Sequence, residues 1–584
     1  MDEYGSTAFR TKYLTLLLTL VAVLICVHAF NSHSMMILLQ SYDTGWLIRT
    51  GEYVAKYGPP QHDIFGWTYP DRSFIAYQWL FELLVYRIYS FGGLRLLSLC
   101  TCLLVGSLFF FVLPLLWIRR GVPVAAPYAV LSLVLFSHWF NIRPQLLSYY
   151  FFLLLIEILE SQRKKKDRSP IVWILLPVMA LWINIHSFWV FGLLIIIIYW
   201  FGEVVRTHSL FNYLSFLILF SFISALFFNP YGFQLSQYLL TFIDGSQYMG
   251  MHEVKPAFHY LGLSEVRFVI AYILIFWIIA YKNRTLLSAE AYVLTGFMTL
   301  MAFSVARYLS VAAIVLWPYF GLLISKGFDW KAFGFDQSSH WFRIPVLVRY
   351  SAMLIPAVVL SLLIALFRFP DERSAEKCFY EDSLEVIDVL RDHVREGDRI
   401  FNDPETGSWL ILAKAGRVAI DTRFDMYPKK FVEKVFDVLY VNESGGQSYL
   451  NSNNITYVVA PNSPVVKLND TLRKSTEWFP LVSNHRLVLW ARTSNPNIEE
   501  LVDRSISSSN LSKQLIDSTV QSRCLQYFQR AKSYSEKRQY RLAVQDLSAA
   551  VQLLPESRFL RQKLQEAKQQ QSSSLPRPAS HRAL

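Results

Sequence analysis

Between Ser41 and Gly93 the sequence SYDTGWLIRTGEYVAKYGPPQHDIFGWTYPDRSFIAYQWLFELLVYRIYSFGG sets Asp43, Arg49, Glu52, His62, Asp63, Gln78 and Glu82 among many tryptophans, tyrosines and phenylalanines. Such residues can do chemistry: a carboxylate takes the proton of an attacking hydroxyl, and an imidazole beside a carboxylate can hold a metal ion. Loops that merely join two membrane spans are short and need no such mixture. Further along come His138, Asn141 and Arg143, then Asn184 and His186, then Asn229, Pro230 and Tyr231, then Arg307, all beside apolar runs. Guanidinium holds phosphate bidentately and keeps its charge at membrane depth, which makes Arg143 and Arg307 anion-binding candidates. Each alone also has an ordinary reading, as a snorkelling arginine or a turn after a helix.

The elements that must position these residues are membrane helices. At 53% hydrophobic and 17% charged, with a mean hydropathy of +0.30, the chain is too apolar for a soluble protein of 584 residues. Apolar runs near 13–30, 94–118, 122–140, 144–161, 170–187, 188–203, 209–228, 264–281, 287–305, 308–325 and 347–368 predict a polytopic α-helical membrane protein of about 11 transmembrane helices. Basic clusters then alternate with the spans: Arg119-Arg120, Arg163 to Lys166, Arg206, Lys282 with Arg284, Lys326, Lys331, Arg343 and Arg349 share a side with Arg10 and Lys12. By the positive-inside rule that side is cytoplasmic, and the net charge of +12 reports orientation rather than nucleic-acid binding. The assignment requires Tyr77 to Phe91, amphipathic through Gln78, Glu82 and Arg87, to lie on the membrane instead of crossing it. The run after Arg10 and Lys12 is expected to stay as a signal anchor.

Organisation changes near residue 370. Residues 1–370 form the membrane domain with its large outer loop 31–93, and residues 371–500 read as a soluble α/β domain. A helix over 384–394 precedes strands at 397–401, 418–420, 455–459 and 487–490, with a helix over 407–415 between the first two. Asp421, Arg423 and Asp425 sit at a strand end, where such sheets bind ligands, although a turn with satisfied charges explains them equally well. A serine-rich linker, 501–523, leads to 524–570, where Tyr527, Ala531, Tyr534, Tyr540, Ala543, Leu547, Ala550 and Pro555 match one tetratricopeptide-like helical hairpin. One copy cannot bury its own face, so a protein partner through 524–557 is one expectation. Residues 571–584 are expected to be disordered. A Cys378–Cys524 disulfide is open if this region lies outside the cytoplasm.

The stretch from Ser41 to Phe74, followed by QWLFELLVYRIYSFGGLRLL and FNIRPQLLSYYFF, resembles the C-type glycosyltransferases over about residues 10–370. These enzymes use polyprenyl-phosphate-linked sugars and are related to protein O-mannosyltransferases and aminoarabinose transferases. The resemblance implies transfer of a sugar to an envelope glycan, lipid or protein acceptor outside a bacterial inner membrane, with the C-terminal domain on that outer side. It gives Asp43 the place of the family's acidic base or metal ligand. Leu47, Ile48 and Tyr77-Gln78 replace histidines that relatives carry, leaving His62 with Asp63 as the pair that would hold a divalent metal, Mg or Mn. Arg143 and Arg307 would hold the donor phosphate, with Arg49, Gln78, Glu82 and His186 as further donor or acceptor contacts. Trp46, Trp67, Tyr69 and Trp79 either stack on sugar or isoprene or form an interfacial belt. A lipid-linked oligosaccharide polymerase or ligase, a transporter and a non-enzymatic anchor of an envelope assembly are the alternatives.

Overall fold

The computed structural model describes residues 42–108, 112–120, 122, 142–163, 169–244, 255–327, 383–498 and 527–574, a few positions inside the last two ranges excepted. It divides into two compact units, Met1–His62 with Ser73–Phe379, and Asp63–Arg72 with Tyr380–Leu584. The expected spans 13–30 and 347–368, nearly all of 122–140, and both Cys378 and Cys524 lie outside the described residues.

The first unit is helical: α1 Thr44–Tyr57, α2 Trp79–Ser107, α3 Leu113–Arg119, α4 Gln145–Arg163, α5 Leu175–Ile185, α6 Trp189–Thr207, α7 Tyr213–Phe227, α8 Phe233–Asp244, α9 Ser264–Lys282, α10 Ala289–Ser304 and α11 Leu309–Gly327. Three described segments are long and apolar enough to cross a membrane, Trp79–Ser107, Trp189–Thr207 and Ala306–Gly327. Helix α11 is buried on nearly every face. Its Trp317 ring stacks 4.3 Å from that of Trp117, and each indole N–H donates to a carbonyl across the pair, Trp117 to Trp317 and Trp317 to Leu113. Helix α7 is the opposite case, with Phe216, Leu219, Phe222 and Phe227 exposed. An apolar face of that size suits lipid.

Helix α2 is two helices joined end to end. Gly92 and Gly93 leave helical geometry, and Gly93 sits at φ 64°, a conformation that favours glycine. The break falls where the sequence separates an amphipathic segment ending at Phe91 from a span beginning at residue 94. Helices α1 and α2 touch closely. A Cβ on Gly51 would lie 2.0 Å from the Glu82 carbonyl oxygen, so glycine there sets their separation.

The second unit carries a five-stranded sheet ordered β2-β1-β3-β5-β4: β1 Arg399–Asn402, β2 Arg417–Val418, β3 Tyr457–Pro461, β4 Trp478–Ser483 and β5 Leu487–Arg492. Strands β2, β1 and β3 run parallel, with Ile400 opposite Val418 and Phe401 opposite Val458, while β5 is antiparallel to both its neighbours. Helices α12 Leu384–His393, α13 Pro404–Ala413, α14 Lys429–Tyr440, α15 Glu443–Ser452 and α16 Lys467–Lys474 complete the α/β part. Helix α13 begins three residues before the expected 407, because Asp403 caps it, accepting from the amides of Glu405 (3.1 Å) and Thr406 (3.2 Å). The last two described helices, α17 Tyr540–Leu553 and α18 Arg558–Ser574, pack together. Ala543, Leu547 and Ala550 are buried there, and α18 carries helix to Ser574, into the tail expected to be disordered from residue 571.

Candidate functional site

Asp43 stands at the N-terminus of α1, and Arg143 precedes α4 by two residues. The Arg143 Nε lies 2.8 Å from Asp43 Oδ2, and Oδ1 of the same carboxylate accepts the Trp46 indole N–H at 3.3 Å. Arg307 lies in a 3-10 turn, Ala306–Tyr308, ahead of α11, and His186 ends α5. The charges of Arg143 and Arg307 both act on buried His186 and on buried Tyr149. The structure therefore brings Asp43, Arg143, His186 and Arg307 into one constellation, built where several helices begin or end.

A buried polar shell fixes these groups. Ser148 Oγ lies 2.9 Å from His186 Nδ1 and accepts the Trp182 indole N–H, also at 2.9 Å. When Ser148 passes its own hydrogen to Nδ1, the ring's hydrogen sits on Nε2. One residue on, Gln145 donates to the Tyr149 hydroxyl (2.7 Å), which donates to Ser310 Oγ (2.9 Å) at the start of α11. Asn184, two residues before His186, accepts from Trp79 Nε1 (2.8 Å) and from Asn229 Nδ2 (3.2 Å). Gln145, Ser148, Tyr149 and Ser310 are functional candidates that the sequence reading passed over as parts of apolar spans. Their signal was present: positions 145, 148 and 149 share one helix face next to Arg143.

The remaining expected residues occupy other places. Arg49 turns to Glu52 at 2.6 Å, which also takes Lys56 at 2.8 Å, a ladder along α1. Gln78 caps α2 through its carbonyl, which accepts from the amides of Phe81 (2.9 Å) and Glu82 (3.1 Å). Glu82 is fully buried, and its charge reaches Tyr231, whose hydroxyl donates to the Pro60 carbonyl at 2.8 Å.

His62 and Asp63 do not fit a divalent ion. His62 pairs its backbone with Ser73 in the first unit. Asp63 belongs to the second, where its two oxygens accept Arg423 Nη2 (2.8 Å), the Phe65 amide (3.2 Å) and the Gly66 amide (3.0 Å). Those contacts make Asp63 an anchor. Among the described residues no group of three or more His, Cys, Asp or Glu side chains has the arrangement of a metal site.

Asp421 and Arg423, noted in the sequence as a strand-end cluster, form the centre of that anchor. Asp421 takes Arg423 Nε and Nη2 at 2.9 and 2.7 Å and also accepts the Tyr427 hydroxyl at 2.9 Å. Burial works against a charge on Arg423, and the pull of Asp421 and Asp63 outweighs it, holding the guanidinium protonated. Burial, reinforced by Asp421, likewise keeps the Tyr427 hydroxyl protonated.

No family model matches the sequence, and no curated protein matches it. Solved structures do. The archaeal oligosaccharyltransferase AglB from Archaeoglobus fulgidus, in complex with an inhibitory peptide and a dolichol-phosphate, superposes with a TM-score of 0.50 at 13% identity, over 83% of this chain and 75% of that one. The same protein tethered to an acceptor peptide gives a TM-score of 0.49 at 14% identity over the same shares. ArnT from Cupriavidus metallidurans bound to undecaprenyl phosphate gives 0.47 at 10% identity, over 83% of this chain and 99% of that one. The chain thus has the fold of the AglB oligosaccharyltransferase.

Proposed function

We propose that this chain is an integral membrane glycosyltransferase that moves a sugar from a polyprenyl-phosphate donor to an envelope glycan, lipid or protein acceptor on the outer face of the membrane. The observation that carries the reading is the 2.8 Å pairing of Asp43 with Arg143, whose charge acts together with that of Arg307 on buried His186. The acceptor hydroxyl attacks the anomeric carbon, the carbon–oxygen bond to phosphate breaks, and the hydroxyl proton passes to Asp43. Arg143 and Arg307 hold the departing lipid phosphate, and charge forming there meets guanidinium groups already in position. Arrival of the donor draws Arg143 toward the phosphate and frees Asp43 for the acceptor. His186, oriented by Ser148, supplies a further donor. In this reading Arg143 and Arg307 meet the leaving-group charge, and His62 with Asp63 take no metal.

The AglB structure holds a dolichol-phosphate, a ligand of the proposed donor class, in a molecule of this fold. Localisation follows from the loop charges, which put Asp43, Arg143, His186 and Arg307 outside the cytoplasm. An inner bacterial membrane and an outward C-terminal domain complete the proposal.

The test is Asp43→Asn in intact cells, with mass analysis of lipid-linked sugars and envelope glycans. The expected outcome is loss of glycan product, about 10²–10⁴-fold in rate for a lost general base, with normal membrane insertion and accumulation of the donor. Undiminished product from a folded variant would remove Asp43 from the chemistry. Product loss together with loss of the donor lipid would favour an upstream role in making the donor.

A further inference from the structure

Residues 65–67 belong to the first outer loop by sequence and to the α/β sheet by hydrogen bonding. The Trp67 amide donates to the Val418 carbonyl (3.1 Å), and the Val418 amide donates to the Phe65 carbonyl (3.2 Å). This parallel bridge, Gly66 to Val418, covers the outer edge of β2. Side chains reinforce it. Trp67 Nε1 donates to the Ile400 carbonyl (2.9 Å), with the Arg399 guanidinium 5.2 Å from its ring centre. Thr68 Oγ1 donates to the Ala419 carbonyl (2.9 Å), and the Tyr69 ring meets Phe431 edge-on at 5.1 Å. Beneath them Arg423 grips Asp63 and Asp421 together, with Phe65 against its guanidinium at 4.9 Å. Edge strands invite pairing, and here the chain supplies its own partner from a segment far away in sequence.

We propose that residues 63–72 are a standing strand of the α/β unit, clamped there by Arg423. The clamp needs an arginine. Its Nη2 reaches Asp63 and Asp421 at once while Nε keeps the second contact to Asp421, a fork that lysine cannot reproduce. It also needs the bare backbone of Gly66, where a Cβ would lie 2.4 Å from Asp63 Oδ2.

That contact gives a test from the loop side, which leaves Arg423 and Asp421 paired and the domain intact. In the full-length protein in lipid nanodiscs, Gly66→Ala and Asp63→Asn are compared with wild type by amide hydrogen exchange. The expected result is exchange at least about tenfold faster at Trp67 and Val418, with Val458 and Val459 of β3 unchanged. Arg423→Lys, which keeps charge without the fork, is expected to fall between wild type and Asp63→Asn. Wild-type exchange at Trp67 and Val418 in the loop variants would overturn the clamp. Equal acceleration at Val458 and Val459 would overturn it too, because the cluster would then hold the domain and not the loop.

Discussion

Removing the Arg423 guanidinium would leave two carboxylates, Asp63 and Asp421, buried together with the charge that reconciled them gone. A buried ion pair contributes little net stability, because desolvation offsets the attraction, but breaking one from a single side strands a charge in a poor dielectric. Arg423→Ala is therefore expected to destabilise the protein by about 3–5 kcal/mol, seen as an earlier unfolding transition of the full chain in denaturant. An Arg423→Met, Asp421→Leu, Asp63→Leu triple variant should recover most of that loss; if it is no more stable than Arg423→Ala, uncompensated charge is not the cause. The membrane-side pair carries the opposite expectation. Asp43 and Arg143 are only partly buried, 17% and 22% exposed, so Asp43→Asn should leave stability within about 1 kcal/mol of wild type while abolishing product. These two pairs also mark how far single residues are legible. Asp43, Arg143 and Arg307 stood out because an ionisable group beside a bilayer is expensive wherever it occurs. The link from Asp63 to Arg423 did not, since the partners are 360 positions apart and no local pattern joins them.

Secondary structure was legible where a local cause sets it. Gly92-Gly93 ends one helix and starts the next whatever surrounds them, whereas the Asp403-Pro404 start of α13 was read as a turn and the helix expected only from 407. Strand β4, Trp478–Ser483, escaped because it contains Pro480 and a register shift between Pro480 and Val482, features that weaken strand patterning and are tolerated only through pairing with β5. The Asp403 cap allows a pH prediction at this scale. Burial pushes its carboxyl above the ordinary value of 3.8, while hydrogen bonds from Thr406 and Glu405 pull the other way. A carboxyl whose folded value is raised stabilises the fold while protonated, and that contribution is lost as pH rises through the raised value. Asp403→Asn retains a good N-cap without the charge, so it should unfold at a higher temperature than wild type at pH 7. The advantage should vanish as pH falls toward 4. Asp403→Ala loses the cap as well, about 0.5–2 kcal/mol, and should be the least stable of the three at pH 4. Thermal unfolding across that range checks the order, and an Asp403→Asn advantage that grows on acidification would refute the assignment.

At the scale of the whole molecule, the packing of residues 63–72 into the α/β unit constrains topology more tightly than any hydropathy argument. Two segments that share a backbone bridge and a buried ion cluster must be in the same aqueous compartment, so residues 63–72 and 399–431 share one side of any membrane that the chain crosses. Sequence alone reached that side for the loop through its basic-residue count, and for the C-terminal domain only by counting about eleven crossings, any one of which could be miscounted. The bridge makes the agreement independent of the count: between Arg72 and residue 399 the chain must cross an even number of times. Single cysteines at Asp71 and Lys430, both exposed, test this directly in a background without native cysteines. Both should react with a membrane-impermeant maleimide on intact cells. A cysteine at exposed Lys326, placed inside by the positive-inside rule, should react only after lysis. If Asp71 and Lys430 label from opposite sides, the sheet cannot contain the loop strand, and the Arg423 clamp falls with it. If both label only after lysis, the clamp stands but Asp43 faces the cytoplasm, and the acceptor would then have to be sought on the inner side.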